Sequence, residues 1–312
     1  MMSLPVVMLM GPTAVGKTEV ALHIAETFPV EIVSVDSANV YLGMDIGTAK
    51  PDVIMRQSIR HHLIDCIDPT ESYSAARFRH DALEIIDAIR SRGKIPLLVG
   101  GTFLYFKVLQ EGIHILPDSE REVRMMIENE AKLLGWPAMH ARLQSIDPVT
   151  AARLNVHDGQ RIGRALEIYV QSGQPMSAWL AKPKFAVPDF PVLRIALEPS
   201  DRAHLHDRIA NRFRKMLASG LVNEVERLRQ TYVLEESMPS MRCVGYRQVW
   251  KYLEGFIGKN ELEESGIAAT RQLARRQLTW LRSMDRVNRV NCFAEDLGKD
   301  VCKLVQKAVE NA

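Results

Sequence analysis

The stretch GPTAVGKT, residues 11 to 18, constrains this chain more than any other. Gly11, Gly16, Lys17 and Thr18 fit the pattern G-x-x-x-x-G-K-[ST], and Pro12, Thr13, Ala14 and Val15 fill the turn between them. An apolar run, VVMLM (6–10), precedes it, and a helical pattern, VALHIAETF (20–28), follows. Strand, glycine-rich turn and helix in that order make a phosphate-binding loop, where the bare motif would be weaker. In such a loop successive backbone N–H groups and the helix N-terminus face an anion. Lys17 adds a point charge, and the Thr18 hydroxyl is placed to bind Mg²⁺.

The rest of the N-terminal third repeats this alternation. EIVSVD (31–36) and KIPLLVGGT (94–102) read as further buried parallel strands, with a long helical pattern over 73–93 between them. This predicts β-α-β units and a doubly wound sheet, with ligands held by loops at the strand ends. Asp36-Ser37 and Gly100-Gly101-Thr102 lie at two of those ends. From 118 to 182 the patterns are helical, and Asp118 or Ser119 is expected to cap the first of them. A proline-rich stretch (182–191) follows, and FPVLRIALEP (190–199) returns to strand. The expected organisation is an α/β core formed by 1–113 and 190–312, with an all-helical insertion over 114–189. Helical patterns cover 201–232 and 261–283, and the last twenty residues read as a peripheral amphipathic helix.

Net charge is only +2, so overall basicity does not point to nucleic acid. Residues 268–290, however, carry six arginines against one acid, Asp285. The four cysteines lack C-x-x-C or zinc spacing and read as reduced thiols of a cytoplasmic protein. The N-terminal apolar run has no basic flank and leads directly into the glycine loop, so it reads as a core strand and not a signal peptide. No apolar run approaches the roughly 20 residues that span a bilayer. Met8, Met10, Met125 and Met126 read as core filler, and His61 and His62 as structural.

The phosphate loop does not by itself name its ligand. An ATPase or GTPase needs an acid at the end of a core strand to hold Mg²⁺. The strand 94–102 ends LLVGGT, with none, and base-reading N-K-x-D motifs are absent. The acid near the loop is Asp36. It reads either as a Mg²⁺ ligand or helix cap, or as a general base facing a nucleophile across from the phosphates. A kinase acting on a nucleoside or small metabolite would use it in the second way. A nucleic-acid-binding ATPase is the third reading.

Nine segments together narrow the choice: GPTAVGKT (11–18), VSVDSANVYLGMDIGTAKP (33–51), HHLIDCIDP (61–69), YSAARF (73–78), PLLVGGTFLYFKVLQEG (96–112), DGQRIGRALEIY (158–169), RIANRFRKMLASG (208–220), MRCVGYRQVW (241–250) and ATRQLARRQLTWLR (269–282). In content and order they resemble the bacterial tRNA dimethylallyltransferases, the IPP transferase family. The resemblance implies a P-loop kinase-like parallel sheet flanked by helices, with a helical insertion domain that contacts tRNA. It also implies transfer of a dimethylallyl group from dimethylallyl diphosphate to N6 of adenosine 37, in tRNAs reading codons that begin with U. The loop would then hold the leaving diphosphate with Mg²⁺, and ATP would not be needed. Asp36 becomes the candidate base, and Arg212, with Arg208 as alternative, the candidate partner of the departing charge. Thr102 is either a donor to substrate or a helix N-cap.

A stacked adenine must be flipped out to reach such a site. The segments implied to grip the tRNA are Asp36, Ser37, Ala38 and Asn39; Gln160, Arg161, Ile162, Gly163 and Arg164; Arg242, Cys243, Val244, Gly245, Tyr246 and Arg247; and Arg275, Arg276, Gln277, Leu278, Thr279, Trp280, Leu281 and Arg282. Thr102 and Arg124 join them, and Tyr246 and Trp280 are the expected stacking rings. The resemblance further implies a monomer with no obligate protein partner, free of metal apart from Mg²⁺, since the zinc-finger spacing of eukaryotic members is missing.

Overall fold

The computed structural model describes residues 4–184 and 189–311. The chain runs β1 (Val6–Met10), α1 (Lys17–Thr27), β2 (Val30–Val35), α2 (Val53–Ser58), β3 (His61–His62), α3 (Ala75–Ser91), β4 (Ile95–Gly100) and α4 (Phe103–Glu111). Five helices follow: α5 (Arg121–Leu134), α6 (Trp136–Ile146), α7 (Pro148–Ala151), α8 (Gly159–Ser172) and α9 (Met176–Leu180). The remainder is β5 (Val192–Glu198), α10 (Arg202–Ala218), α11 (Leu221–Thr231), α12 (Tyr246–Leu253), α13 (Lys259–Arg282), β6 (Asn288–Asn291) and α14 (Leu297–Glu310).

The chain divides into two compact units, Met1–Gln110 with Pro188–Ala312, and Glu111–Val187. The first is an α/β unit with one six-stranded sheet, ordered β3-β2-β4-β1-β5-β6. Every adjacent pair is parallel. All five residues of β1 are fully buried, as a strand covered on both faces must be. Val7 and Leu9 join Ile24, Leu97, Ile195 and Leu197 in the main core. Two strands escape the sequence reading. β3 is two histidines, and β6 reads Asn-Arg-Val-Asn, so neither offers an apolar run. The last helix follows expectation. Val301 and Val305 of α14 are fully buried in the main core and its other residues are half-buried or exposed, so it is an amphipathic helix laid on the outside of the unit.

Near the start of β2, Glu31 is buried in the sheet and accepts hydrogen bonds from Arg92 at 2.7 Å and His62 at 2.7 Å. Lys94 adds an ion pair at 3.2 Å. Burial alone would push this carboxyl up; the hydrogen bonds from Arg92, His62 and Lys94 outweigh it and hold it down to about 2. His62 thus has a structural partner, as does His61, whose Nδ1 lies 2.7 Å from the Ile59 carbonyl.

The second unit is helical throughout its described elements and has its own core of Ile127, Ala131, Met139, Leu143, Ala151, Ile162, Ala165 and Leu166. Its first helix is not capped as expected. Glu120 is the N-cap of α5 and makes no side-chain cap bond, while Ser119 Oγ donates to Glu167 at 2.7 Å. Met125 and Met126 are each 48% exposed, so they are surface residues of α5, whereas Met8 and Met10 are fully buried. Residues 185–188 of the proline-rich stretch lie outside the described residues.

Candidate active site

The turn between β1 and α1 has the backbone of an anion cradle. Gly16, which leads into α1, has φ of 87°, a left-handed conformation that glycine takes at little cost. Ala14 takes φ of 67° with a Cβ attached, a strain of the kind that collects at ligand loops. Lys17 curls back over the turn, its Nζ donating to the carbonyls of Gly11 at 3.0 Å and Pro12 at 2.8 Å. Gly11, Pro12 and Val15 are buried beneath it, and Thr18 stands exposed at the second position of α1.

This turn opens into a cavity of about 620 Å³ within the α/β unit. Its lining includes Thr13, Ala14, Gly16, Lys17 and Thr18 on one side, and Asp36, Ser37, Ala38, Asn39 and Thr102 at the ends of β2 and β4. Arg212 of α10, the segment Arg242-Cys243-Val244, and Arg276, Gln277 and Trp280 of α13 complete the walls named here. Asp36 is half-buried, and its Oδ1 accepts from the Ala38 N–H at 2.8 Å. Thr102 Oγ1 accepts from the Ser37 N–H at 3.0 Å, which fastens the β4 end to the loop after β2.

The electrostatics are those of a site built for an anion. Burial, then the nearby Arg212 charge, lower Lys17 to about 8, with Asp36 pulling in the other direction. Burial also lowers Arg212, again opposed by Asp36. Two desolvated cations therefore face Asp36, with Glu19 also acting on Arg212, and an added anion of two or more charges favours the charged form of both. Cys243 lies in the same wall, but burial pushes its thiol up to about 12, so it stays protonated and inert. Among the described residues the four cysteines are free, and no cluster of three or more His, Cys, Asp or Glu could hold a metal by itself.

A family model described as IPP transferase matches residues 39–284. The chain belongs to the IPP transferase family. A tRNA dimethylallyltransferase of Ralstonia pickettii is 56% identical over 309 residues, covering 97% of this chain and 95% of the relative. Among solved structures, the tRNA isopentenylpyrophosphate transferase of Bacillus halodurans superposes with a TM-score of 0.72 at 32% identity, covering 98% of this chain and 97% of that one. A eukaryotic dimethylallyltransferase acting on tRNA shares the fold, with a TM-score of 0.81 at 24% identity over 99% of this chain and 80% of that one.

Seen as an IPP transferase, the chain brings some of its motif residues together and hides others. Tyr246 is the clearest correction. It is fully buried at the start of α12, and its hydroxyl donates to Glu224 at 2.5 Å, so it offers no stacking face. Gly245, Leu278 and Leu281 are also buried, and Leu278 is part of the main core. Arg247, Arg275, Thr279 and Arg282 are exposed but lie outside the cavity lining, and Trp280, which lines it, is 37% exposed. Arg212 of α10 lines the cavity, and Arg208 of the same helix sits over the Phe293 ring at 5.8 Å with its Nη2 beside Gly16 of the loop. In the helical unit, Ile162 and Gly163 are buried in α8, and Gln160 and Arg161 are exposed. Arg124 and Arg164 both pair with Glu167, at 3.7 and 3.2 Å.

Glu224 of α11 is a residue the sequence reading missed. Its buried carboxylate accepts from three successive backbone N–H groups, Asp45 at 3.1 Å, Ile46 at 2.7 Å and Gly47 at 3.2 Å, besides the Tyr246 hydroxyl. It ties the loop of Gly47, Thr48 and Ala49, a cavity wall, to the start of α12. Lys50 is buried next to it, bonding Tyr41 O at 2.8 Å, Asp45 at 2.7 Å and Asp65 at 2.6 Å. Nothing local marks Glu224, since the backbone N–H groups it holds lie 177 to 179 residues away and Tyr246 lies 22 away.

Proposed function

We propose that this enzyme transfers a dimethylallyl group from dimethylallyl diphosphate to N6 of adenosine 37, in tRNAs reading codons that begin with U. One observation carries the reading: a phosphate loop and a strand-end carboxylate share one cavity, and β4 ends in Gly-Gly-Thr with no acid of the kind an ATPase needs.

The chemistry then follows from the walls. The loop N–H groups and Lys17 cradle the diphosphate, and Arg212 meets the charge that develops as the C1–O bond breaks. The amine N6 attacks C1, the diphosphate leaves with the electron pair, and Asp36 takes the proton that N6 loses. Thr102, held next to Asp36 through Ser37, orients the purine. A Mg²⁺ ion would be held here by the Thr18 hydroxyl, which lines the cavity beside the loop. When bound it neutralises diphosphate charge.

The adenine reaches Asp36 by flipping from the anticodon loop. Arg242, Arg276 and Trp280 at the cavity, with Arg247, Arg275 and Arg282 outside it, supply phosphate and stacking contacts. Arg161, Arg164 and Arg124 of the helical unit, which we read as an insertion domain, are further tRNA contacts in this reading. No described helix is long and apolar enough to cross a membrane, and a cytoplasmic setting with tRNA as partner suits the reading. The test mixes enzyme, Mg²⁺, labelled dimethylallyl diphosphate and unmodified tRNA without ATP. Label entering tRNA, and its loss with EDTA, are the expected results. Label staying out while ATP phosphorylates a nucleoside would replace the reading with a kinase.

A further inference from the structure

Gln277 lies in the segment of α13 that carries Arg275, Arg276 and Trp280, yet its side chain is engaged inward. Its Oε1 accepts from the Thr13 N–H of the phosphate loop at 2.9 Å, and its Nε2 donates to the Gly101 carbonyl at 3.0 Å. The two partners lie 264 and 176 residues away in sequence. A single amide therefore bridges the diphosphate loop and the end of β4, one residue before Thr102.

The surroundings are shaped for that bridge. A Cβ on Gly101 would lie 2.5 Å from Gln277 Nε2 and 3.2 Å from the Gly11 carbonyl, so only glycine lets the amide, the loop and the β4 end approach this closely. The helix on which Gln277 rides is itself fixed, because Ala274 and Leu278, three residues before it and one after, pack in the main core with Val15 and Leu197. The bridge thus joins two parts that act on opposite ends of the reaction. Thr13 belongs to the cradle of the leaving group. Thr102, through Ser37, belongs to the edge that carries Asp36.

We propose that Gln277 is a positioning residue for the transfer reaction. It holds the diphosphate cradle and the Asp36–Thr102 edge at a fixed separation, so that the amine and the C1–O bond meet in line. Small errors in that separation are costly, since reacting atoms must approach to within roughly 3–3.5 Å. The inference rests on the transfer reaction proposed above. It differs from a tRNA-contact role for Gln277, which its place in the basic segment would suggest.

The test uses full-length Gln277→Met, which keeps length but loses both bonds, and Gln277→Glu, which keeps an acceptor for Thr13 and loses the donor to Gly101. Three quantities are read: affinity for dimethylallyl diphosphate alone, affinity for an unmodified anticodon stem-loop alone, and the single-turnover rate with both saturating. For Gln277→Met we expect diphosphate affinity to fall roughly three- to tenfold, the scale of one lost hydrogen bond. The single-turnover rate falls by about tenfold or more, and stem-loop affinity stays within about twofold. Gln277→Glu keeps wild-type stem-loop affinity and shows the same rate loss. Combined with Thr102→Val, the Gln277→Met loss in rate is less than additive, because both act through one edge.

A stem-loop affinity reduced tenfold with diphosphate affinity and rate intact would make Gln277 a tRNA contact and overturn the proposal, as would three unchanged quantities. If Gln277→Met fails to fold, Gln277→Glu alone decides, by the split between rate and stem-loop affinity. Wild-type enzyme that binds the diphosphate but alkylates no RNA would defeat the transfer reading instead, while the Thr13 arm of the bridge would still be read from diphosphate affinity.

Discussion

Lys17 offers the sharpest quantitative consequence of this site. Burial and Arg212 hold it near 8 in the free pocket, against an ordinary 10.5. A bound diphosphate adds negative charge beside it and restores the ammonium, so binding takes up a proton wherever free Lys17 is neutral. Lys17 is about nine-tenths protonated at pH 7 and about one-tenth at pH 9. Affinity for dimethylallyl diphosphate therefore falls about tenfold over that range, or about 1.4 kcal/mol. Arg212 keeps its charge throughout, and the ligand's own last ionisation, near the roughly 6 of a phosphate ester, is already about nine-tenths complete at pH 7 and changes affinity little above it. The assay is isothermal titration without tRNA at pH 7, 8 and 9, in buffers of different ionisation enthalpy. About half a proton is taken up at pH 8. Lys17→Met binds weakly at every pH, with no slope. An affinity unchanged from pH 7 to 9 in the wild type would refute the argument that buried, crowded cations await an anion here.

Other consequences concern the scaffold. Glu31, depressed to about 2 from 4.5, contributes stability that is present above pH 4.5 and lost as pH falls toward 2. Urea unfolding at pH 5 and pH 3 should show the wild type losing about 2 kcal/mol more than Glu31→Gln over that interval. Glu224→Gln places an amide NH₂ against backbone donors, and should cost about 1–3 kcal/mol and lower the melting temperature by several degrees in a thermal scan. Tyr246→Phe should cost about 1 kcal/mol in the same scan and leave anticodon stem-loop affinity unchanged in a binding titration; a tenfold loss of affinity would restore it to the RNA surface.

What could be read from the sequence divides along a physical line. β1, β2, β4 and β5 are short apolar runs between turns, so burial writes them into composition. The phosphate loop is local, with all its parts within eight residues. β3 and β6 carry no such pattern, because these edge strands, two histidines in one case and three polar residues with a single valine in the other, are made by their neighbours in the sheet. Tyr246 and Gln277 lie in segments whose resemblance to the family implies an RNA surface. Their side chains instead follow partners far along the chain, Glu224 in one case and Thr13 with Gly101 in the other. Met125 and Met126 fail for a related reason. Residue type favours a core place, but the face of α5 they occupy is not covered within its unit.

The claim on which the rest depends is that Asp36 receives the proton from the attacking amine. Asp36→Asn keeps the shape and removes the base. Single-turnover alkylation of saturating anticodon stem-loop by this variant should be slower by roughly 10²-fold or more, with stem-loop affinity within a few-fold of wild type. A rate within twofold of wild type would contradict the account, and so would a loss explained wholly by weaker RNA binding.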